Sequence, residues 1–291
     1  MKTINYLKSM FALAGICVFC SCNLFEHRKI TITIDDTCNL DQQLAAYEVM
    51  NKRIASVRYV REKTDLIDSK FDLTYAGTEP LLTQMLTQKG NIYITETYLN
   101  NEIQSPLHKV YERLFQLEEN AGHEPLWHIS DFQNGHSPTL IYAPLQQVAC
   151  IDSIFNSYKY LFPDDISFVW MTKPRAGFFD LLALKSTSQP FPLNPNTVKN
   201  SNLIRGHGNN TELGIDLDKK YHEEWARMTR DNISRSLAIV MDEKVLMCPR
   251  VQGEITEGRL SITNDFDINE LFVIRSIVLS GTLDCKVQII N

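Results

Sequence analysis

The stretch that decides the fold of the C-terminal third is WARMTRDNISRSLAIVM, residues 225–241. In its first half Trp225, Met228 and Thr229 lie three and four residues apart, which is the spacing of one face of an α-helix. Its second half, residues 237–241, is an apolar run of the length and composition typical of a β-strand. The stretch therefore predicts a helix that leads directly into a strand, and a second strand follows through Pro249.

The order of motifs around this stretch resembles the head of the large periplasmic domain of SecD, the accessory subunit of the bacterial protein-export channel. The shared positions are Thr229, Asn232, Ile233, residues 237–240, Pro249, Gly258, Phe266 and residues 281–283. This chain departs from the pattern at Ser234, where the family tends to have Gly, at Glu243, where a hairpin favours Gly after Asp, and at Asp284, which takes the place of a Pro. These departures affect loop geometry and leave the implied fold unchanged.

Upstream, residues 28–100 predict a ferredoxin-like domain with the order β-α-β-β-α-β. Residues 30–34 alternate as a half-buried strand, and residues 66–67, 71–75 and 91–95 are expected to be the other three strands. This part resembles the base of the same SecD domain, on the residues Asn51-Lys52-Arg53-Ile54. Arg53 is expected either to hold its helix against the rest of the base or to be a solvated side chain.

The whole chain is therefore expected to have an α+β fold, with a ferredoxin-like, base-like domain and an α/β, head-like domain. Residues 1–22 are expected to be a lipoprotein signal peptide, and residues 101–138 a connector. The SecD head-like region is expected to span residues 139–291. It divides into a β-α-β-β segment, residues 139–190, and the head proper, residues 191–291.

Residues 1–22 predict export from the cytoplasm. Lys2 and Lys8 precede an apolar run that is shorter than the roughly 20 residues needed to span a bilayer, which indicates a cleavable signal. The sequence Phe19-Cys20-Ser21-Cys22 resembles a loose lipobox. Cys22 is the better acylation site because bulky Phe19 precedes Cys20. We expect an envelope lipoprotein, anchored to the inner or outer membrane and facing the periplasm, with an ordinary signal peptide as the alternative.

Composition and cysteine usage agree with an exported globular protein. The chain has 291 residues, 44% hydrophobic residues and a net charge of -6. This charge and the absence of a basic cluster disfavour nucleic acid as a partner, since such binding depends on phosphate neutralisation. No C-x-x-C spacing occurs among Cys38, Cys150, Cys248 and Cys285, so disulfides and buried free thiols both remain open.

No catalytic motif is recognisable, and neither a cofactor nor a metal is expected. The segment His123-Glu124-Pro125-Leu126-Trp127-His128 is similar to the zinc-peptidase signature, but that signature needs histidines four residues apart on one helical face. Here they are five apart, and Pro125 would interrupt the helix. His136 is a third candidate ligand. A metal-dependent hydrolase is therefore the remote alternative, and we expect a non-enzyme.

The resemblance to SecD implies a binding module. The expected partners are a translocating protein or peptide, or export-channel subunits, with the membrane reached through the lipid anchor. Addition of a strand to an exposed sheet edge would be a natural binding mode. The alternative is a structural or envelope protein-interaction lipoprotein that reuses the fold, because a fold alone does not determine function.

Trp225 and Met228 are expected to be core residues.

Overall fold

The computed structural model describes residues 28–57, 60–76, 79–121, 127–129, 137–186, 190–206, 210–263 and 265–290. Its α-helices are α1 (Leu40–Ala55), α2 (Glu79–Thr87), α3 (Gln104–Ala121), α4 (Leu145–Ser157), α5 (His222–Asp231) and α6 (Ile268–Ser280). Its first strands are β1 (Arg28–Ile34), β2 (Val60–Lys63), β3 (Lys70–Tyr75), β4 (Ile92–Glu96), β5 (His128–Ile129), β6 (Thr139–Ala143), β7 (Ile166–Trp170) and β8 (Phe179–Lys185). The remaining strands are β9 (Phe191–Pro192), β10 (Val198–Arg205), β11 (Thr211–Leu217), β12 (Leu237–Met241), β13 (Lys244–Met247), β14 (Arg259–Ile262) and β15 (Val287–Ile290).

These elements form two compact units. The first unit takes in the described residues up to Thr87 and from Asp284, and the second unit takes in those from Gln88 to Leu283. Both units combine helices with antiparallel sheets. The expected α+β class is confirmed.

The first unit is ferredoxin-like, and the C-terminus supplies its last strand. Its sheet has the order β15-β1-β3-β2 with antiparallel neighbours throughout. Ile32 lies at the centre, opposite Ile289 on one side and Phe71 on the other. The alternation predicted for β1 is observed, because Ile30, Ile32 and Ile34 are all buried. The helices α1 and α2 complete the β-α-β-β-α-β order.

Two of the expected strands of this unit differ in the structure. Residues 91–95 were expected to be its last strand, but β4 pairs with β12 and β9 in a different sheet. The alternation of residues identifies a strand without identifying its partner, and β15 takes the fourth position instead. Residues 66–67 are not a strand, since only Ile67 makes an isolated bridge, to Lys70, around a turn with positive φ at residues 68 and 69. The second strand is β2.

Arg53 and a disulfide consolidate the first unit. Arg53 is fully buried, and its Nη1 donates a hydrogen bond to the main-chain oxygen of Met85 at 2.9 Å. It therefore links α1 to α2, which is the structural role expected from the resemblance. Cys38 and Cys285 form a disulfide with a Cα–Cα distance of 6.3 Å. Because they are 247 residues apart in sequence, the bond covalently joins the two chain segments of this unit.

The described part of the second unit contains three antiparallel sheets. Their orders are β10-β11-β14, β13-β12-β4-β9 and β5-β6-β8-β7. The helices α3 and α4 pack on the third sheet, and the core between them includes Leu107, Phe155 and Leu181. Helix α3 lies within residues 101–138, which were expected to be a connector. It supplies five members of this core, which are Leu107, Val110, Tyr111, Leu114 and the half-buried Leu117. We call α3, α4 and the third sheet the inserted layer.

Local sequence signals explain the ends of these elements. Asp267 accepts hydrogen bonds from the main-chain N–H groups of Asn269 and Glu270, and the Glu270 side chain completes a capping box at the start of α6. Asp218 caps the short 3₁₀ turn before α5, where its side chain accepts a hydrogen bond from the main-chain N–H of Lys220. Ser234 stands where the resemblance implies Gly, and Glu243 stands where a hairpin favours Gly. Both adopt positive φ, +69° and +65°. The backbone thus keeps the left-handed conformation despite the departures from Gly.

Candidate functional site

Strand β12 separates two different environments inside the second unit. Ala238 and Val240 face a cluster that also contains Leu182 and Leu184 of β8 and Val245 of β13. The other face of β12 carries Leu237 and Ile239. Because successive side chains of a strand point to opposite faces, this alternation assigns one face of the sheet to the inserted layer and leaves the other for a second set of neighbours.

A cavity of ≈ 500 Å³ lies against the second face of β12. Its apolar lining residues are Ile94, Trp225, Leu237, Ile239, Met247, Pro249, Val251, Ile255 and Leu260. Its polar lining residues are Thr229, Arg250, Gln252, Glu254, Ser261 and Thr263, together with Gly253. The volume lies within the range of about 300 to 1,000 Å³ that is typical of ligand sites.

Helix α5 forms one wall of the cavity. Its exposed side carries charged residues such as Glu223, Glu224 and Arg227, so Trp225 and Thr229 turn to the interior at helical spacing. Trp225 is 4% exposed, and its ring lies 5.7 Å from that of Phe191. The buried indole Nε1–H has no hydrogen-bond partner among the described residues. Trp225 is therefore a core residue, as expected, and also a lining residue of the cavity.

The polar residues of the Thr-x-x-Asn motif fix this helix in place. The Thr229 hydroxyl accepts a hydrogen bond from the main-chain N–H of Ile255 at 2.9 Å, which ties α5 to the loop at the cavity rim. Asn232 donates through Nδ2 to the main-chain oxygen of Met228 and to Oε1 of Glu96 in β4, at 2.9 and 3.3 Å. The motif that carries the resemblance thus holds two walls of the cavity.

Residues 249–255 form the rim. Val251 exchanges main-chain hydrogen bonds with the turn after α5, donating to the oxygen of Arg235 at 2.8 Å and accepting from Ser234 at 2.9 Å. Arg230 and Glu254 form an exposed ion pair at 3.1 Å. Exposed pairs of this kind contribute little stability, so the main-chain bonds and Thr229 hold the rim.

A polar network lies at the C-terminal end of β4, around Glu96. Lys185 of β8 donates to Glu96 at 2.9 Å, and Arg235 makes two hydrogen bonds to the Glu102 carboxylate at 2.9 and 2.8 Å. Burial by itself would raise the pKa of Glu96, but the hydrogen bonds from Lys185 and Asn232 outweigh it and leave this pKa below its ordinary value. Glu96 is therefore ionised at neutral pH and joins β4, β8 and α5.

Among the described residues no group of three or more His, Cys, Asp or Glu side chains is placed to hold a metal. His128 lies exposed in β5 with its ring 5.4 Å from that of Phe178, whereas residues 123–126 and His136 lie outside the described residues. Cys248 is a free, half-buried thiol, and desolvation raises its pKa to about 12, which makes it a poor nucleophile.

The other residues predicted from sequence have mixed outcomes. Cys22 lies outside the described residues. Met228 is half-buried on α5, and Cys150 is a free, exposed thiol. The cavity was not predicted from the sequence. All five residues of β12 are apolar and buried, and this pattern is the same whether the space beside the strand is filled or empty. The sequence signal that pointed to this region is the pair of polar motif residues, Thr229 and Asn232, on the helix that carries Trp225.

Comparisons with known proteins find similarity over the region that supplies most of the cavity lining. Residues 192–284 match the family model described as SecDF, P1 head subdomain. The chain is similar to the periplasmic domain of SecD. Protein translocase subunit SecD of Leptotrichia buccalis is 27% identical over 102 residues, 35% of this chain and 25% of that protein. SecD of Rhodothermus marinus is 33% identical over 83 residues, 28% of this chain and 13% of that protein.

The fold agrees with this similarity over nearly the whole chain. A crystal structure of SecDF in a super-membrane-facing form superposes with a TM-score of 0.55 and 13% identity, covering 98% of this chain and 34% of that one. In the sequence comparisons, the chain spans about a quarter of the length of several curated SecD relatives. Within the described residues, no helix has the length and apolar character needed to cross a membrane.

Proposed function

We propose that this protein is a lipid-anchored, non-catalytic accessory of protein export that binds unfolded or translocating polypeptide in the cavity of its SecD-like head. The observation that carries the proposal is the ≈ 500 Å³ cavity, which is mainly apolar and is lined almost entirely by residues within the matched range 192–284. An unfolded chain exposes the apolar side chains that such a cavity can bury. SecD is by name a subunit of the protein translocase.

The anchoring part of the proposal rests on Cys22. Residues 1–22 serve as the lipoprotein signal peptide, and acylated Cys22 holds the remainder of the chain at a membrane of the cell envelope, facing the periplasm. Several acyl chains on one residue make release from the membrane negligible. The membrane is thus one partner, and a polypeptide client or an export-channel subunit is the other.

Cys22 can be tested against the nearby Cys20. Metabolic labelling with a radioactive fatty acid should label the wild-type chain and Cys20→Ser, and labelling should be lost in Cys22→Ser. Labelling that persists in Cys22→Ser but disappears in Cys20→Ser would move the anchor to Cys20. No labelling of any form would leave an ordinary signal peptide.

Client binding can be tested by photocrosslinking in living cells. A photoreactive phenylalanine analogue at Leu260, in the cavity wall, should crosslink to many exported precursors during synthesis. The matched control is Tyr160, which is 78% exposed in the same unit but does not line the cavity. Crosslinks from Leu260 to one folded envelope protein would favour the structural lipoprotein instead, and crosslinks equal to those from Tyr160 would contradict the proposal.

A further inference from the structure

The sheet that forms one wall of the cavity ends in an open strand. In the order β10-β11-β14, strand β14 pairs with β11 on one side, and no strand of the described residues pairs with its other side. Leu260 and Ser261 of β14 both line the cavity. An edge strand presents a row of main-chain donors and acceptors that another extended chain can complete.

The pattern of hydrogen bonds shows which main-chain groups face this edge. The N–H of Leu217 donates to the oxygen of Gly258 at 2.8 Å, directly opposite it in the β11–β14 register. In an antiparallel pair, hydrogen-bonded and non-hydrogen-bonded positions alternate. Leu260 and Ile262 therefore bond to β11, and the main-chain groups of Ser261 and Thr263 turn away from it.

Thr263 supports this assignment. Its N–H donates to Sδ of Met247 at 3.4 Å, across to a strand of the neighbouring sheet. A thioether sulfur is a weak acceptor, so a carbonyl oxygen would make a stronger hydrogen bond with the N–H of Thr263. The Nε1–H of Trp225, in the wall formed by α5, is buried without any acceptor among the described residues.

We propose that an extended polypeptide segment adds to the outer edge of β14 as a fourth strand, with its carbonyl oxygens accepting hydrogen bonds from the cavity donors. This inference rests on the proposed function and gives it a binding mode. Alternate side chains of the added strand point into the cavity, toward Leu237 and Ile239, and the others point to solvent. Recognition of the backbone makes the site tolerant of client sequence, while the cavity selects apolar side chains.

The donors distinguish this occupant from a lipid chain. A fatty acyl chain fits an apolar cavity of this size, but it has no acceptors along its length. It would leave the N–H groups of Ser261 and Trp225 without partners, whereas a polypeptide supplies a carbonyl at every residue. The main-chain donors and acceptors of β14 repeat every two residues, about 6.8 Å apart, which is the repeat of another strand.

The first test varies the backbone of the ligand. The full chain, purified in detergent, is titrated with a short soluble peptide that has leucine at alternate positions, and with analogues in which a single amide is replaced by an ester. An ester removes one donor and weakens one acceptor while keeping the side chains. We expect at least one central ester to weaken binding about five- to tenfold, the usual effect of one hydrogen bond.

The second test varies the protein. Ser261→Pro removes the outward N–H of β14 without removing a bond to β11, and Ser261→Ala is its control, since it removes only the hydroxyl. We expect Ser261→Pro to bind the peptide about tenfold more weakly than Ser261→Ala does, since the two variants share the loss of the hydroxyl and differ in the loss of the N–H. If Ser261→Pro fails to fold, replacement of Trp225 by its isostere 3-benzothienylalanine, which lacks the N–H, should weaken the same peptide about fivefold.

The outcomes separate this inference from the proposed function. Peptide binding that is insensitive to every ester, to Ser261→Pro and to the Trp225 isostere would overturn strand addition and leave an apolar site for unfolded chains. Oleate that binds as tightly as the peptide and competes with it would identify a lipid site and overturn both. Absence of any peptide binding would contradict the proposed function itself.

Discussion

The two faces of β12 are buried to the same extent but packed differently. Ala238 and Val240 are fully buried against the inserted layer, while Leu237 and Ile239 are 2% and 3% exposed and border a cavity of ≈ 500 Å³. Low exposure therefore does not mean that the neighbouring space is filled. The cavity persists because α5, the rim and β14 are held in place by specific hydrogen bonds, so the wall cannot collapse onto the sheet.

The largest expected difference between the two faces is in the cost of removing a leucine. Leu182→Ala, on the filled side, should lower the free energy of unfolding by about 3 to 5 kcal/mol, because it loses both transfer energy and packing. Leu237→Ala should cost about 2 kcal/mol, since it enlarges an existing cavity and loses mainly the transfer energy. Urea unfolding of both variants measures the difference, and equal costs would mean that the cavity is absent in solution.

A second prediction concerns the disulfide of the first unit, which is not part of either face of β12. Removing the disulfide with Cys38→Ser and Cys285→Ser should destabilise the chain by about 2 to 4 kcal/mol, because the bond closes a long loop. Calorimetry should assign this loss to the first unit. Peptide binding to the cavity should remain unchanged, and a loss of binding would show that the two sites are coupled.

Larger side chains should also have different effects on the two sides of β12. Ala238→Leu places extra atoms in the filled cluster and should cost about 1 to 3 kcal/mol. Leu260→Trp adds volume where space is available, so its effect on the free energy of unfolding should be below about 1 kcal/mol. It should nevertheless weaken binding of an unfolded chain at least about tenfold. A folded Leu260→Trp variant with unchanged binding would place the binding site elsewhere.

The ionised Glu96 gives the comparison a pH dependence. Because its pKa in the folded chain is below its ordinary value, its contribution to stability is fully present above the pKa of the unfolded carboxyl, about 4.3, and is lost as pH falls through the folded pKa. Unfolding followed between pH 7 and 3 should show this loss. Glu96→Gln should reduce the slope, and an identical slope in Glu96→Gln would exclude this carboxyl as its source.

The smallest effect is expected at the turn that ends β12. Asp242 and Glu243 both have positive φ, +47° and +65°, which a glycine adopts at no steric cost at the second position. Glu243→Gly should therefore stabilise the chain by about 0.5 to 1 kcal/mol without changing either face of the strand. Thermal unfolding would reveal the gain, and a loss of stability would mean that the Glu243 side chain has a favourable interaction.

Much of the fold was predictable from local sequence signals. The alternation of β1, the capping box at Asp267 and the helix-to-strand order after Trp225 each depend on residues close in the chain. Strand partners could not be predicted in this way. The pairing of β15 with β1 joins residues more than 250 positions apart, and no local pattern favours it over the nearby β4.

The site was harder to predict than the fold. The Thr229 and Asn232 motif indicated the correct segment, and the structure explains the motif through bonds to the rim and to Glu96. The cavity itself depends on what the apolar side chains of β12 do not contact, and a sequence carries no signal for empty space. The Nε1–H of Trp225, which has no acceptor within the described part of the chain, is likewise a property of the assembled unit.

The most direct test of the central claim is an equilibrium titration of the full chain with one client in two states. Carboxymethylated, permanently unfolded α-lactalbumin should bind to the wild-type chain, and the native form of the same protein should not. Leu260→Trp should bind the unfolded form at least about tenfold more weakly, because the indole occupies the cavity. Equal binding of folded and unfolded α-lactalbumin, or unchanged binding by Leu260→Trp, would contradict the account.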